Sequence, residues 1–265
     1  MMVIKSDGRR EPFSKEKVVA TCIRAHTGEK MSKEIANYVE KNIKDGTSTQ
    51  VIYRMVLDEL DKRKSKSSIF LTLRDSVADL PPEAFEFYAK KILEAYGYRV
   101  EWNVIVEGEV IEHQCDLIAE KDGRKYLVEC KRHFNPHRFC GLDVGLQVQA
   151  RLEDVMDGFH DGKNEHDFTG AWIFTNSKFS EHAKKYALGK NIRMTGWRYD
   201  NKIALDNMIE DKKLYPVTML KADISIKRTL VSENMLTLDD IIRNEKRLSK
   251  KGLADIISQA RKLIE

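Results

Sequence analysis

The segment that most constrains the fold is HQCDLIAEKDGRKYLVECK, residues 113–131. Two runs of strand-forming residues flank Asp122-Gly123, a pair suited to a tight hairpin turn because both residues tolerate positive φ. Side chains alternate along a strand, so Leu127, Glu129 and Lys131 share one face and Val128 and Cys130 the other. Asp116 interrupts the apolar run of the first strand. If the strands pair across the turn, Asp116 comes to lie beside them near the far end.

Two close carboxylates repel each other and lose hydration, which disfavours the ionised form of each. A divalent cation reverses that penalty, and a compact set of carboxylate oxygens suits Mg²⁺ or Mn²⁺. A lysine on the same face can orient water or stabilise negative charge on a phosphoryl group. The same three side chains also suit a plain salt-bridge cluster at strand ends, and spacing alone does not separate the two readings.

Around this hairpin the pattern predicts a helix from Glu83 to near Gly97, strands at Arg99–Glu107, His113–Glu120 and Lys125–Lys131, a helix over about Asp143–Met156, a buried strand in AWIFTNS (171–177), a helix over about Ser180–Leu188, and a last strand over Ile192–Arg198. Strands alternating with helices in this order predict a mixed sheet covered on both faces. Ahead of it, a small hairpin around Asp7-Gly8 precedes four helices, opening at Ser14, at Ser32, at Ser48 or Thr49 (running to about Lys64) and at about Ser67. Asp79-Leu80-Pro81-Pro82 breaks the pattern. Beyond about Asn207 the chain reads as helical. The expected division is 1–82, 83–205 and 206–265.

The 265 residues carry a formal net charge of +4, which permits a polyanion partner without demanding one. No apolar run is long enough to cross a bilayer, and the N-terminus is polar from position 5 onward, so neither a membrane partner nor a secretory signal is expected. Cys22, Cys115, Cys130 and Cys140 form no CxxC pair and read as free thiols of a cytoplasmic protein.

The pieces FEFYAKKILEAYGYRV (85–100), HQCDLIA (113–119), VECKRH (128–133), QARLED (149–154) and IFTNSKFSEHAKKYA (173–187) together resemble the Mrr-like branch of the PD-(D/E)xK nuclease superfamily, from about Glu83 to Tyr199. The resemblance implies an α/β restriction-endonuclease-like core, a mixed β-sheet flanked by helices. It implies Asp116 and Glu129 as metal ligands with Glu86 completing the site, Lys131 as the catalytic lysine, and Gln149 facing the active site, with Gln147 as its competitor. The implied reaction is Mg²⁺- or Mn²⁺-dependent hydrolysis of phosphodiester bonds in DNA. HQC replaces the usual residue pair before the first acid, and no base-reading element is legible. His113 reads either as a phosphate or proton-transfer group or as a structural histidine. His133, His137, Lys131, Arg132 and Arg138 form a loop cluster suited to a DNA backbone or to solvent.

VIKSDGRREPFSKEKV (3–18) resembles the start of an ATP-cone, a regulatory nucleotide-binding domain, with the match extending to about residue 80. It implies that Val3, Lys5, Arg10, Glu11, Ser14, Lys17 and Ser48 surround ATP or dATP. Lysines, an arginine and helix N-termini are the groups that neutralise phosphate. There is no GxxxxGK[ST] loop. The segment 229–264 resembles a degenerate helix-hairpin-helix domain through Leu236, Ile241, Leu248, Gly252, Ile256 and Ala260; the same spacing suits a packing or dimerisation element. The expectation is a DNA endonuclease under nucleotide control, with a homodimer as an option because a duplex cut needs two sites. The alternatives are a DNA-binding protein that does not cut, and a nucleotide sensor acting on a partner.

Overall fold

The computed structural model describes residues 1–5, 7–63, 67–200 and 203–264. Lys64 and Glu265 lie outside them. The chain divides into two units, Met1–Leu73 and Arg74–Glu265.

In the first unit, β1 (Met2–Ile4) pairs antiparallel with β2 (Arg10–Pro12) and parallel with the short β3 (Thr47–Ser48), a strand the sequence pattern does not reveal. Helices α1 (Lys15–Arg24), α2 (Glu29–Asn42), α3 (Thr49–Lys62) and α4 (Ser67–Leu71) follow. Ser14 and Ser48 cap α1 and α3 by accepting the backbone N–H of Lys17 and Val51, at 3.2 and 3.3 Å. Ser32 is no cap. Gly28 opens α2, and Ser32 sits buried in its first turn, donating its hydroxyl to the carbonyls of Thr27 and Gly28. Val3, Val18, Cys22, Ile35, Val39, Ile52, Val56 and Leu60 close a core between the three-stranded sheet and the helices. Each such aliphatic side chain contributes about 1.5–3 kcal/mol on burial.

The second unit begins in α5 (Leu73–Ala78) and α6 (Pro82–Ala95). The Pro81-Pro82 pair does not act as a linker: Pro81 caps α6 and Pro82 occupies its first turn, where a missing N–H costs nothing. The α5 segment joins this unit because Val77, Ala78 and Leu80 are buried and the Thr218 hydroxyl bonds the Ser76 carbonyl at 2.5 Å. Next come β4 (Arg99–Glu107), β5 (Glu112–Lys121), β6 (Arg124–Lys131), β7 (Phe139–Cys140), α7 (Leu142–His160), β8 (Gly170–Thr175), β9 (Lys178–Phe179), α8 (Glu181–Gly189) and β10 (Arg193–Thr195). The five-stranded sheet runs β10-β8-β6-β5-β4, antiparallel through β4, β5 and β6 and parallel through β6, β8 and β10. It is the expected mixed sheet, with β6 at its centre.

Ile118, Leu127, Ile173 and Met194 pack with Val144, Val148, Leu152 and Val155 of α7 and Ala183 and Ala187 of α8. On α6, Phe85, Tyr88, Ile92 and Leu93 are buried, with Phe85 against Phe174. Gly158 and Gly108 let α7 approach the β4–β5 hairpin closely. A Cβ on Gly158 would lie 2.6 Å from the Gly108 carbonyl carbon.

The remaining helices, α9 (Leu205–Asp211), α10 (Ile224–Ser232), α11 (Leu238–Arg243), α12 (Glu245–Lys250) and α13 (Ala254–Ile264), belong to the same unit as the sheet. The Tyr88 hydroxyl bonds the Leu214 carbonyl at 2.5 Å, and Lys91 pairs with Asp240 at 2.8 Å. Gly252, at φ +76°, turns the chain between α12 and α13, and Leu236, Ile241, Leu248, Ile256 and Ala260 are all buried.

Candidate active site

The site begins with a fault in β5. The ladder to β6 runs from Lys121↔Arg124 to Leu117↔Val128 and stops there. Continued one step, it would set Asp116 opposite Glu129. Instead the Asp116 carboxylate accepts the Cys130 N–H at 2.7 Å, taking the place of a ladder carbonyl. Cys115 and Ile118, three residues apart, both join the core under α7, which strict two-residue alternation forbids. On the other side, Asn103 of β4 sits opposite Asp116 with φ +55°, between the pairs Trp102↔Leu117 and Val104↔Cys115. A left-handed residue is cheapest as Gly or Asn. This kink in the strands is what turns Asp116 out of the core.

Three carboxylates, Glu86, Asp116 and Glu129, influence one another here. Burial, then the charges of Glu129 and Glu86, push the Asp116 carboxyl up to about 7. Glu86, on α6, is raised by burial and by its acidic neighbours Glu83 and Glu129, although its Oε2 accepts the Trp102 indole N–H at 3.2 Å. Glu129 forms an ion pair with Arg151 of α7. Lys131, two positions on, is exposed and forms no ion pair or hydrogen bond through its ammonium among the described residues. Buried Cys140 is influenced by both Glu129 and Lys131, so the two side chains occupy one neighbourhood.

Among the described residues, no three His, Cys, Asp or Glu side chains stand ready-made around a cation position. The donor chemistry nevertheless fits a hard ion. Mg²⁺ is commonly held by one or two carboxylates and keeps several waters, and Asp116 and Glu129 supply such a pair. Asp116, whose ionised form is disfavoured by burial and by Glu129 and Glu86, is the carboxylate a cation would relieve most.

The other expected residues fall as follows. The Gln149 amide donates to Glu153 of its own helix at 2.8 Å, while its Oε1 is buried without a partner; Gln147 is exposed. His113 bonds Asp154 at 2.7 Å, and Asp154 also accepts the N–H groups of Val110 and Ile111, a clasp that holds the β4–β5 hairpin to α7. The Arg74 guanidinium hydrogen-bonds the His137 Nδ1 at 3.4 Å and also donates to the Pro136 carbonyl. His133 is lowered by burial and then by Lys131.

Sequence reasoning misses Arg151, Asn103 and the polar trio at the end of β8. Thr175, Asn176 and Ser177 are fully buried. Thr175 donates to the Lys131 carbonyl at 2.6 Å, and Asn176 both accepts the His133 N–H at 2.7 Å and donates to the His133 carbonyl at 2.9 Å. They fix the strand end that carries Lys131. The only available signal is three polar residues closing an apolar run.

In the first unit, Glu11 is shared by Lys5 and Lys17 at 3.2 and 3.1 Å, and Arg10 pairs with Asp45 at 2.8 Å. Ser14 and Ser48 serve as caps and Val3 is buried in the core, so Val3 has only its backbone to offer a ligand.

A kinked antiparallel hairpin continued into a parallel β6-β8-β10 set, with Glu129 and Lys131 at the end of its central strand and Asp116 on the strand beside it, defines a restriction-endonuclease-like domain. Comparison with known families agrees: a restriction endonuclease family of the Mrr type matches residues 77–197, and the ATP cone domain matches residues 1–69. An uncharacterised protein of Archaeoglobus fulgidus is 38% identical over 180 residues, covering 66% of this chain and 98% of that relative. A crystal structure of a protein of unknown function is 35% identical with a TM-score of 0.60, covering 69% of this chain and 98% of that one. The chain belongs to the Mrr-type restriction-endonuclease-like family and carries an N-terminal ATP-cone domain. No helix among the described residues is long and apolar enough to cross a membrane.

Proposed function

We propose that this protein is a divalent-metal-dependent endonuclease acting on DNA, with its ATP-cone unit binding an adenine nucleotide as a regulatory ligand. The observation that carries the reading is the electrostatic strain on Asp116. A carboxyl pushed up to about 7 by burial and by the charges of Glu129 and Glu86 is costly in a structural role and useful in a catalytic one. Glu86, Asp116 and Glu129 would hold Mg²⁺ or Mn²⁺, which supplies charge neutralisation at phosphorus and a nucleophile at neutral pH. Lys131, free at the strand end, stabilises charge gathering on the phosphoryl oxygens or orients the attacking water. Gln149, whose amide oxygen is buried without a partner among the described residues, would help position that water. The Thr175 and Asn176 bonds keep the Lys131 strand end rigid.

In the regulatory unit, Lys5 and Lys17 would transfer from Glu11 to nucleotide phosphates, with Arg10 and the N-termini beyond Ser14 and Ser48 adding donors.

The test is cleavage of supercoiled plasmid with Mg²⁺ or Mn²⁺, with and without ATP or dATP. Wild type cuts; Lys131→Ala and Asp116→Asn lose activity by at least about a hundredfold. DNA binding without cutting under any metal would favour the rival of an inactive binding protein, for which the Arg151–Glu129 pair speaks.

A further inference from the structure

A cavity of about 910 Å³ opens between the start of α6, β4, the loop after β6 and α10. Its position is set by two residues adjoining the catalytic ones. Trp102 lines it and donates its indole N–H to Glu86, and Arg132, which also lines it, directly follows Lys131. Trp102 thus forms a wall between the cavity and Glu86.

The lining has a specific chemistry. Phe87 and Trp102 meet edge to face, with centroids 5.6 Å apart. Phe134 lines it with 80% of its surface exposed. Opposite them α10 presents Ile224, Lys227, Arg228 and Val231, spaced along one helical face; Ile224 is 63% exposed. Three cations and two acids, Asp79 and Glu83, line the cavity. Arg132 and Lys227 are anchored on the carbonyls of Ala78 and Thr218, at 2.8 and 2.7 Å, while Arg228 has no ion pair or hydrogen bond among the described residues. Aromatic faces with cations at the rim are what single-stranded nucleic acid binders use, and a volume of this size accepts a planar base with its sugar.

We propose that this cavity receives an unstacked nucleobase of the strand whose phosphodiester lies at Glu86, Asp116, Glu129 and Lys131. Phe134 is the stacking lid, Trp102 and Phe87 the floor, and Arg228 a phosphate contact at the rim. Asp79 and Glu83 are the acceptors that face exocyclic amino groups. The substrate class this selects is DNA with an unpaired nucleotide next to the cut. The proposal rests on the nuclease reading only for where the strand runs.

The experiment uses the full chain in EDTA, so that binding is read without cleavage. Anisotropy titrations compare a duplex bearing one unpaired 2-aminopurine nucleotide with the fully paired duplex. Wild type should prefer the unpaired substrate by about tenfold and change the 2-aminopurine emission. Phe134→Ala, which removes an exposed side chain and leaves the core intact, and Val231→Glu should each remove most of that preference. Phe134→Trp should retain the preference. No preference in wild type, or a preference untouched by both variants, overturns the proposal. A fluorescent adenine nucleotide whose binding is lost in Val231→Glu while the oligonucleotide preference stays also overturns it, by making the cavity a free-nucleotide site. Mn²⁺-dependent cutting is scored separately. A protein that prefers the unpaired base and never cuts sinks the nuclease reading alone; one that cuts without any preference sinks this proposal alone.

Discussion

Arg151 of α7 grips the carboxylate of Glu129 on β6, the position through which the site would bind a cation. Both side chains are mostly buried, 25% and 17% exposed. The pair compensates in part for three converging acids, and it occupies an oxygen that a metal would need. Removing Arg151 leaves Glu129 unpaired beside Asp116 and Glu86. Arg151→Gln should therefore lower metal-free stability by about 1–2 kcal/mol, while Mn²⁺ should restore more stability to the variant than to wild type. Thermal melts with EDTA and with millimolar Mn²⁺ measure both, and an identical Mn²⁺ increment in the two proteins would show that Arg151 does not compete with the ion.

Asp116 predicts a pH dependence. Its carboxyl keeps a proton up to about 7 in the folded chain, against the ordinary 3.8. Between those values the folded state binds more protons than the unfolded state, so this group's contribution to stability falls as pH rises and is least favourable above 7. Asp116→Asn retains an acceptor for the Cys130 N–H and removes the charge. In EDTA it should stabilise the protein at about pH 8, by an amount on the order of a few kcal/mol, and do little near pH 4. Equal effects at the two pH values would refute the assignment.

Asn176 makes two bonds to the backbone of His133 from a fully buried position. Asn176→Ala strands one N–H and one carbonyl, each costing about 1–3 kcal/mol. Melting should fall accordingly, and plasmid cutting should fall further than the loss of folded protein explains, because the Lys131 strand end loosens. Activity normalised to folded fraction decides between the two roles.

Glu11 holds Lys5 and Lys17 in the ATP-cone unit. If these lysines bind nucleotide phosphates, Lys17→Ala should weaken ATP binding by about tenfold in calorimetry, since one phosphate contact from a charged donor is worth about 1.5–3 kcal/mol. The melting temperature should change little, because Lys17 is 65% exposed. Unchanged affinity would place the nucleotide elsewhere.

Much of this protein is written in local pattern. Asp122-Gly123 sets the β5–β6 hairpin, alternating apolar residues set the strands, and Ser14 and Ser48 open their helices. These follow from turn chemistry and side-chain periodicity, which act over a few residues. Ser32 misleads because a serine inside a first turn and one at a cap have the same local sequence signature. Asp116, Glu129 and Lys131 were legible as residue types at strand spacing, and Glu86 through the family resemblance. The kink that frees Asp116 was not: it depends on Asn103 taking a left-handed conformation across the ladder, thirteen positions away by subtraction. Nor were the Arg151 clamp, the buried Thr175–Asn176 lock, the β3 strand or the aromatic cavity under α10. Each joins segments far apart in the chain, where the deciding quantity is which charges and surfaces packing brings together. Sequence fixes what each residue can do chemically; only packing determines which of them share a dielectric environment, and it is that sharing that turns three ordinary carboxylates into one strained site.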